Sequence, residues 1–193
     1  MTVKYLNQKP DGILIGGSTG ALSAFREFFS TIKNLPVPIL VAIHLPSDIT
    51  TTFAHILGEP EETLPMVFSG QRLSQGLMLA PPGKNCELRE RGDGDIRVLL
   101  KSGGANTLSP CIDSFLLSGA KAFQYPVAVI LSGHGDDGRH AAQYYHKADL
   151  PVLIQKPTTA IQPEMTVNAG MAIPDAPLLS VRQIAQTLHQ AFY

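Results

Sequence analysis

The stretch DGILIGGSTGALSAF, residues 11–25, decides the fold. Ile13, Leu14 and Ile15 form the continuous apolar run expected of a strand covered on both faces of a parallel sheet. Gly16 and Gly17 end it. Ala21, Leu22, Phe25, Phe28, Phe29 and Ile32 then recur at helical spacing, with Arg26, Glu27 and Lys33 away from the stripe, so the pattern predicts a helix over 20–33. A strand, a Gly-rich corner and a helix open an α/β protein. Ser18 stands in the middle of that corner, and two readings fit it. Gly16-x-Ser18-x-Gly20 matches a nucleophile elbow, in which small neighbours permit a sharp turn, the hydroxyl stands exposed and the next N–H faces an oxyanion. Ser18 or Thr19 also suits a helix cap, and the corner alone leaves both open. A nucleotide-binding loop has little support, because GGSTGA is not G-x-G-x-x-G and no Lys follows the last Gly.

The same grammar repeats along the chain. VPILVAIHLP predicts a second buried strand ending at His44, followed by a helix over 48–57 capped by Ser47 or Asp48. Residues 60–105 read as short β pieces, with Arg91-Gly92-Asp93-Gly94-Asp95 as the loop of a hairpin. PCIDSFLLSGAKAF predicts a helix with Pro110 near its start and Gly119 as a weak point in its middle. YPVAVILSGHGDDG is the third strongly apolar strand, and a helix over 137–147 follows it. The strand PVLIQ, a loop through KPTTAIQPEMTVNAGM and a last helix, VRQIAQTLHQAF, complete the chain. The expected fold is therefore a single-domain, doubly wound, mostly parallel sheet flanked by helices, with a β-hairpin insertion. Residues 1–10 are an N-terminal extension and 11–193 the domain proper.

Composition narrows the function. The chain has 193 residues, 44% of them hydrophobic, enough for one sizeable core. Its 15 basic and 16 acidic residues nearly cancel and include no dense basic run, which argues against nucleic acid or an anionic membrane surface as partner. No signal sequence or membrane span is present in the letters, and the expected location is cytoplasmic. Cys86 and Cys111 lack metal or redox spacing and read as packed thiols. No cofactor or metal is expected.

In open parallel sheets, reactive groups collect beyond the carboxyl ends of the strands. Three such ends carry Ser18, His44 and the acids Asp136 and Asp137. Together these supply a nucleophile, a base and a carboxylate to orient the base. Each has a plainer reading: His44 as a hydrogen-bonded structural residue, and one of the two acids as a cap for the helix near Gly138. His134 beside the acids does not suggest a metal, because three ligands within four residues of turn cannot easily converge on one ion. His55, His140, His146 and His189 fall on predicted helices without a partner set.

With Ser, His and Asp in that order on three strand ends, the sequence resembles the catalytic domain of the chemotaxis receptor protein-glutamate methylesterase (CheB) family. The family's I-G-x-S-T-G-G corner is similar to Ile15-Gly16-Gly17-Ser18-Thr19-Gly20-Ala21, and its Q-H-M-P to Ile43-His44-Leu45-Pro46. Its A-P-x-G turn matches Ala80-Pro81-Pro82-Gly83, and its P-S-V-D matches Pro110-Cys111-Ile112-Asp113. Its L-T-G-M-G-x-D-G matches residues 131–138. The resemblance implies Ser18 as nucleophile, His44 as general base and Asp137 as orienting acid, with Asp136 a bystander. It also implies oxyanion or substrate contacts from Thr19, Gly133, His134 and Gly135. The implied activity is hydrolysis of glutamate methyl esters on chemoreceptor-type proteins, with deamidation of particular glutamines. A divergent, non-catalytic protein-binding module is the alternative. Three departures bear on this: Thr107-Leu108-Ser109 stand where Arg and His are usual, His134 replaces Met, and Lys156 replaces an acid in Gln155-Lys156-Pro157-Thr158-Thr159. The letters also show no receiver domain ahead of the first strand.

Overall fold

The computed structural model describes residues 5–45, 64–103 and 109–193. The predicted helix over 48–57 with His55, and the departures Thr107 and Leu108, lie outside those residues. In chain order the strands are β1 (Gly12–Gly17), β2 (Pro38–Ile43), β3 (Gly76–Leu79), β4 (Lys84–Glu90), β5 (Ile96–Ser102), β6 (Pro126–Ile130), β7 (Val152–Gln155) and β8 (Leu178–Leu179). Six of them form one parallel sheet in the order β3-β2-β1-β6-β7-β8, and β4 with β5 makes a separate antiparallel hairpin. The main sheet winds one way from β1 through β2 and the other way from β6 onward. Its topological switch therefore falls between β1 and β6, where a crevice opens beyond the strand ends.

Helices cover both faces. They are α1 (Ala21–Ile32), α2 (Ile112–Ala122), α3 (Arg139–Lys147), α4 (Glu164–Met171) and α5 (Val181–Gln190). Because side chains alternate along a strand, Ile13 and Ile15 join Phe25, Phe29, Ile184 and Leu188 on one face, the side of α1 and α5. Leu14 turns to the other face with Phe115, Leu116, Ala142 and Met165, the side of α2, α3 and α4. The hairpin turns Cys86, Leu88, Ile96 and Val98 inward to extend that second core. All six residues of β1 are buried, as its unbroken apolar run predicts. Gly119, the weak point of the predicted helix, is where α2 meets the sheet, and a β-carbon there would run into the Leu14 side chain. The absent side chain is what lets the helix approach so closely.

Two elements differ from the sequence expectation. The segment read as a loop, residues 156–171, contains a 3-10 turn at Pro157–Thr159 and the helix α4. Thr, Val, Asn and Gly within α4 are indifferent helix formers. Tertiary burial of Met165, Thr166 and Ala169 supplies what propensity does not. The short edge strand β8 pairs with β7 through Ile154 and Leu178 and carries no strand signal of its own. Among the described residues no helix is long and apolar enough to cross a membrane.

Candidate active site

The site is built from three strand ends at the switch. β1 and β2 run in register to Gly17 and Ile43, and the His44 N–H donates to the Gly17 carbonyl at 3.0 Å. Ser18 and His44 therefore leave the sheet side by side. On the other flank, the Leu131 N–H donates to the Gly16 carbonyl at 2.9 Å and the Ser18 N–H to the Ser132 carbonyl at 2.9 Å. The corner after β6 is thereby zipped to the serine corner.

The capping reading of Ser18 does not hold. The N-cap of α1 is Gly20, in the left-handed region with φ 85°, and no side chain caps that helix. Thr19, the other proposed cap, is exposed. The Ser18 carbonyl accepts the Ala21 N–H at 3.0 Å, while its hydroxyl makes no hydrogen bond with any described residue.

The ring of His44 is almost fully buried, and Nε2 lies 3.0 Å from Asp137 Oδ2. An ionised carboxylate only accepts, so Nε2 carries the proton and the lone pair sits on Nδ1. That Nδ1 is buried without a hydrogen-bond partner among the described residues, a state that buried polar atoms usually avoid. The structure thus brings His44 and Asp137 into contact and Ser18 beside them, with no hydrogen bond between the Ser18 hydroxyl and the ring.

Asp137 is held from several directions. Burial alone would raise its carboxyl. Hydrogen bonds from His44 and from the N–H groups of Asp113 and Ile112 outweigh this and keep it below the usual carboxylate value. The two backbone bonds are 2.7 Å from Asp113 and 2.8 Å from Ile112. Neither acid caps α3 in the predicted way. The N-cap of α3 is Gly138 with no side-chain bond, Asp136 is exposed, and only the Asp136 carbonyl serves the turn, accepting from the Arg139 N–H. Asp137 instead caps α2, and Asp113 of α2 returns the service. Its carboxylate accepts from the Ala141 N–H at 2.7 Å and lies 3.0 Å from His140 Nδ1. On the hairpin, Asn85 accepts the Cys111 N–H at 2.8 Å. Three successive N–H groups at the start of α2 are therefore satisfied by side chains from β4 and from the corner after β6.

Of the predicted oxyanion donors, two are already occupied. The Gly133 N–H donates to the Gln162 carbonyl at 2.8 Å, and the Gly135 N–H to Glu164 Oε2 at 2.8 Å. The N–H groups of Thr19 and His134 have no partner among the described residues. Of the four predicted donors, Thr19 and His134 are thus the two whose N–H groups stay open among the described residues, while those of Gly133 and Gly135 fix the corner.

Sequence reasoning also missed several supporting residues. Ser132, fully buried, donates its hydroxyl to the Thr19 carbonyl at 2.8 Å and accepts the Gln162 N–H at 2.9 Å. Gln155, likewise buried, accepts the Ser132 N–H at 2.9 Å and donates to the Thr159 carbonyl at 3.1 Å. The available signal was polar residues at the ends of two buried strands. Lys156, between Gln155 and Thr159, is exposed, so the loss of an acid there leaves this network intact. Cys86 is a packed thiol whose pKa burial pushes up to about 12, with the Glu87 charge adding to the effect. Cys111 is more than packing: its Sγ accepts the Ser114 N–H at 3.5 Å as the N-cap of α2 and lies 3.9 Å from Asp137 Oδ1.

Comparison with known proteins places this geometry in a family. The CheB methylesterase family profile matches residues 13–188. The chain is 31% identical over 183 residues to protein-glutamate methylesterase/protein-glutamine glutaminase 2 of Photobacterium profundum, an alignment covering 91% of this chain and 46% of that protein. It is 30% identical over 174 residues to protein-glutamate methylesterase/protein-glutamine glutaminase of Pseudoalteromonas translucida, covering 86% and 44%. The fold is similar to the crystal structure of the Thermotoga maritima CheB methylesterase catalytic domain, with a TM-score of 0.82 at 24% identity, covering 94% of this chain and 98% of that one. The chain spans about half the length of the curated relatives it matches.

Proposed function

This chain belongs to the CheB methylesterase family, and from that premise we propose that it is a serine hydrolase of glutamate γ-methyl esters on chemoreceptor-type signalling proteins, able also to deamidate glutamine side chains there. The observation that carries the proposal is the state of His44, with Nε2 held by an ionised Asp137 and Nδ1 left buried, beside the Ser18 corner, with no partner among the described residues. An imidazole held in one tautomer with an orphan lone pair is equipped to take a proton.

In the proposed reaction, the Ser18 hydroxyl gives its proton to His44 Nδ1 as Oγ bonds to the ester carbonyl carbon. The N–H groups of Thr19 and His134 hold the oxyanion, and Asp137 stabilises the imidazolium. Collapse breaks the bond to the methoxy oxygen, which leaves as methanol with the proton from His44. Water then attacks the acyl-serine, again losing its proton to His44; collapse breaks the bond to Oγ, which takes that proton back from His44 as the glutamate carboxyl group departs. With a glutamine amide the first leaving group is ammonia.

The test is methanol release from a peptide carrying a glutamate γ-methyl ester. Ser18→Ala is expected to lower turnover by about four powers of ten, the typical loss for a nucleophile of this kind. Turnover within a few-fold of the parent protein would sink the assignment. A second reading, a non-catalytic docking module, draws on one observation: the Ser18 hydroxyl does not bond the His44 ring. Stoichiometric labelling of Ser18 by a serine-directed phosphonate argues for the enzyme, and folded protein that takes up no label argues for the module.

A further inference from the structure

The corner at residues 133–135 is held from outside by a helix that the sequence does not announce. The Gly133 carbonyl accepts the Met165 N–H at 2.9 Å, the Gly135 N–H donates to Glu164 Oε2 at 2.8 Å, and the Gly135 carbonyl accepts from Asn168 Nδ2 at 2.8 Å. Consecutive peptide units are thus pinned to the first turns of α4. A trans peptide points its N–H opposite to its carbonyl. With the Gly133 carbonyl turned toward α4, the His134 N–H of that unit must point away from the helix. Gly133 itself lies against Ser18, where a β-carbon built on the glycine would come within 2.7 Å of Ser18 Cβ. The one N–H of residues 133–135 without a partner among the described residues is therefore turned away from α4 and sits beside the nucleophile's segment.

We propose that Glu164, assisted by Asn168, is a positioning residue: by fixing the peptide between His134 and Gly135 it locks the unit next to the one that carries the His134 N–H, and so keeps that N–H, turned by the Met165 bond, in place as an oxyanion donor. The inference rests on the esterase reading above and extends it to a residue remote in sequence from all three strand ends. The carboxylate of Glu164 also lies 3.7 Å from His134 Nδ1, so the same side chain steadies the residue's ring as well as its backbone. Both side chains are more than half exposed there, and screening by water makes that ion pair the weaker of the two contacts. The hydrogen bond to Gly135 is the one that holds the corner.

Phosphonylation of Ser18 tests this directly, because Oγ bonds phosphorus, the leaving group departs and the negative phosphoryl oxygen occupies the oxyanion position. Glu164→Ala is expected to slow labelling by roughly tenfold to a hundredfold, below or at the loss seen when one oxyanion donor is removed outright. Glu164→Gln, whose Oε1 still accepts from the Gly135 N–H, should stay within about threefold of the parent protein under the same logic. Asn168→Ala should move the same way by a smaller factor, and it replaces Glu164→Ala as the probe if that variant melts below the assay temperature. Labelling of both alanine variants at the parent rate overturns the positioning role. So does an equal loss in Glu164→Ala and Glu164→Gln, which would point to charge rather than the hydrogen bond. If the folded parent protein takes no label while variants and parent melt alike, the esterase reading itself fails and the positioning role goes with it.

Discussion

The two Gly-rich corners of the site reach similar ends by different means. The corner at 16–20 is shaped mostly by main-chain bonds, with the Ser132 hydroxyl on the Thr19 carbonyl as its one side-chain tie among the described residues. Ser18, Gly17 and Gly16 bond through main-chain groups to Ser132, His44 and Leu131, and the Ser18 side chain takes no part in holding the fold. The corner at 132–138 is shaped by side chains from elsewhere. Gln155 and Glu164 receive the N–H groups of Ser132 and Gly135, Asn168 donates to a carbonyl, and its own Asp137 is anchored on the first turn of α2, while the Gly133 N–H goes to the Gln162 carbonyl. A nucleophile carried on main-chain scaffolding can be replaced without structural loss. An acid that also caps a helix cannot.

That contrast is open to experiment, first through paired substitutions. Ser18→Ala should abolish ester turnover while leaving the urea unfolding midpoint unchanged, because no side-chain hydrogen bond is lost. Asp137→Ala should also reduce turnover, by roughly three to four powers of ten, and in addition destabilise the fold by about 3 kcal/mol, since two helix N–H groups and the His44 ring lose their acceptor. Equal stability for the two variants would erase the distinction between the corners.

The pH dependence sharpens the same point. Asp137 is held below its usual value of 3.8 in the folded protein. The unfolded chain therefore takes up the proton first as pH falls. The stabilising contribution of this group is complete above 3.8 and is lost as pH drops through the depressed folded value. The stability gap between the parent protein and Asp137→Asn, measured in urea at successive pH values, should be constant near neutrality and close in acid. A gap that widens in acid would contradict the assignment of Asp137 as the anchored carboxylate.

Smaller effects bear on the supports. Asp113→Ala removes the acceptor of the Ala141 N–H and should cost about 1 kcal/mol, a typical value for a lost helix cap, with a far smaller fall in turnover than Asp137→Ala. Lys156→Ala should change neither stability nor turnover measurably, because the side chain is exposed and the Gln155 and Thr159 contacts do not use it.

The apolar runs of β1, β2 and β6, the stripes of α1 and α5 and the Gly-flanked strand ends were legible because each depends on neighbours within a few residues. The helix α4 was not, since Thr, Val, Asn and Gly give it little intrinsic preference and its order comes from burial of Met165, Thr166 and Ala169. The two-residue strand β8 was invisible for the same reason. At the site, the chain order of Ser18, His44 and Asp137 could be read from the letters, and so could the family they resemble. The capping roles could not, because Gly20 and Gly138 stand where Ser18, Thr19, Asp136 and Asp137 were candidates.

Local sequence thus determined which residues end the strands and that those ends share one edge of a parallel sheet, because strand and helix periodicity are short-range properties of the chain. Tertiary structure alone decided that Asp137 also caps α2, that Gly133 gives its N–H to the Gln162 carbonyl and Gly135 to Glu164 of α4, and that the N–H groups of His134 and Thr19 find no partner among the described residues. Those outcomes turn on which distant segment supplies each hydrogen-bond partner, and the direction of a peptide group is fixed by the partner it finds.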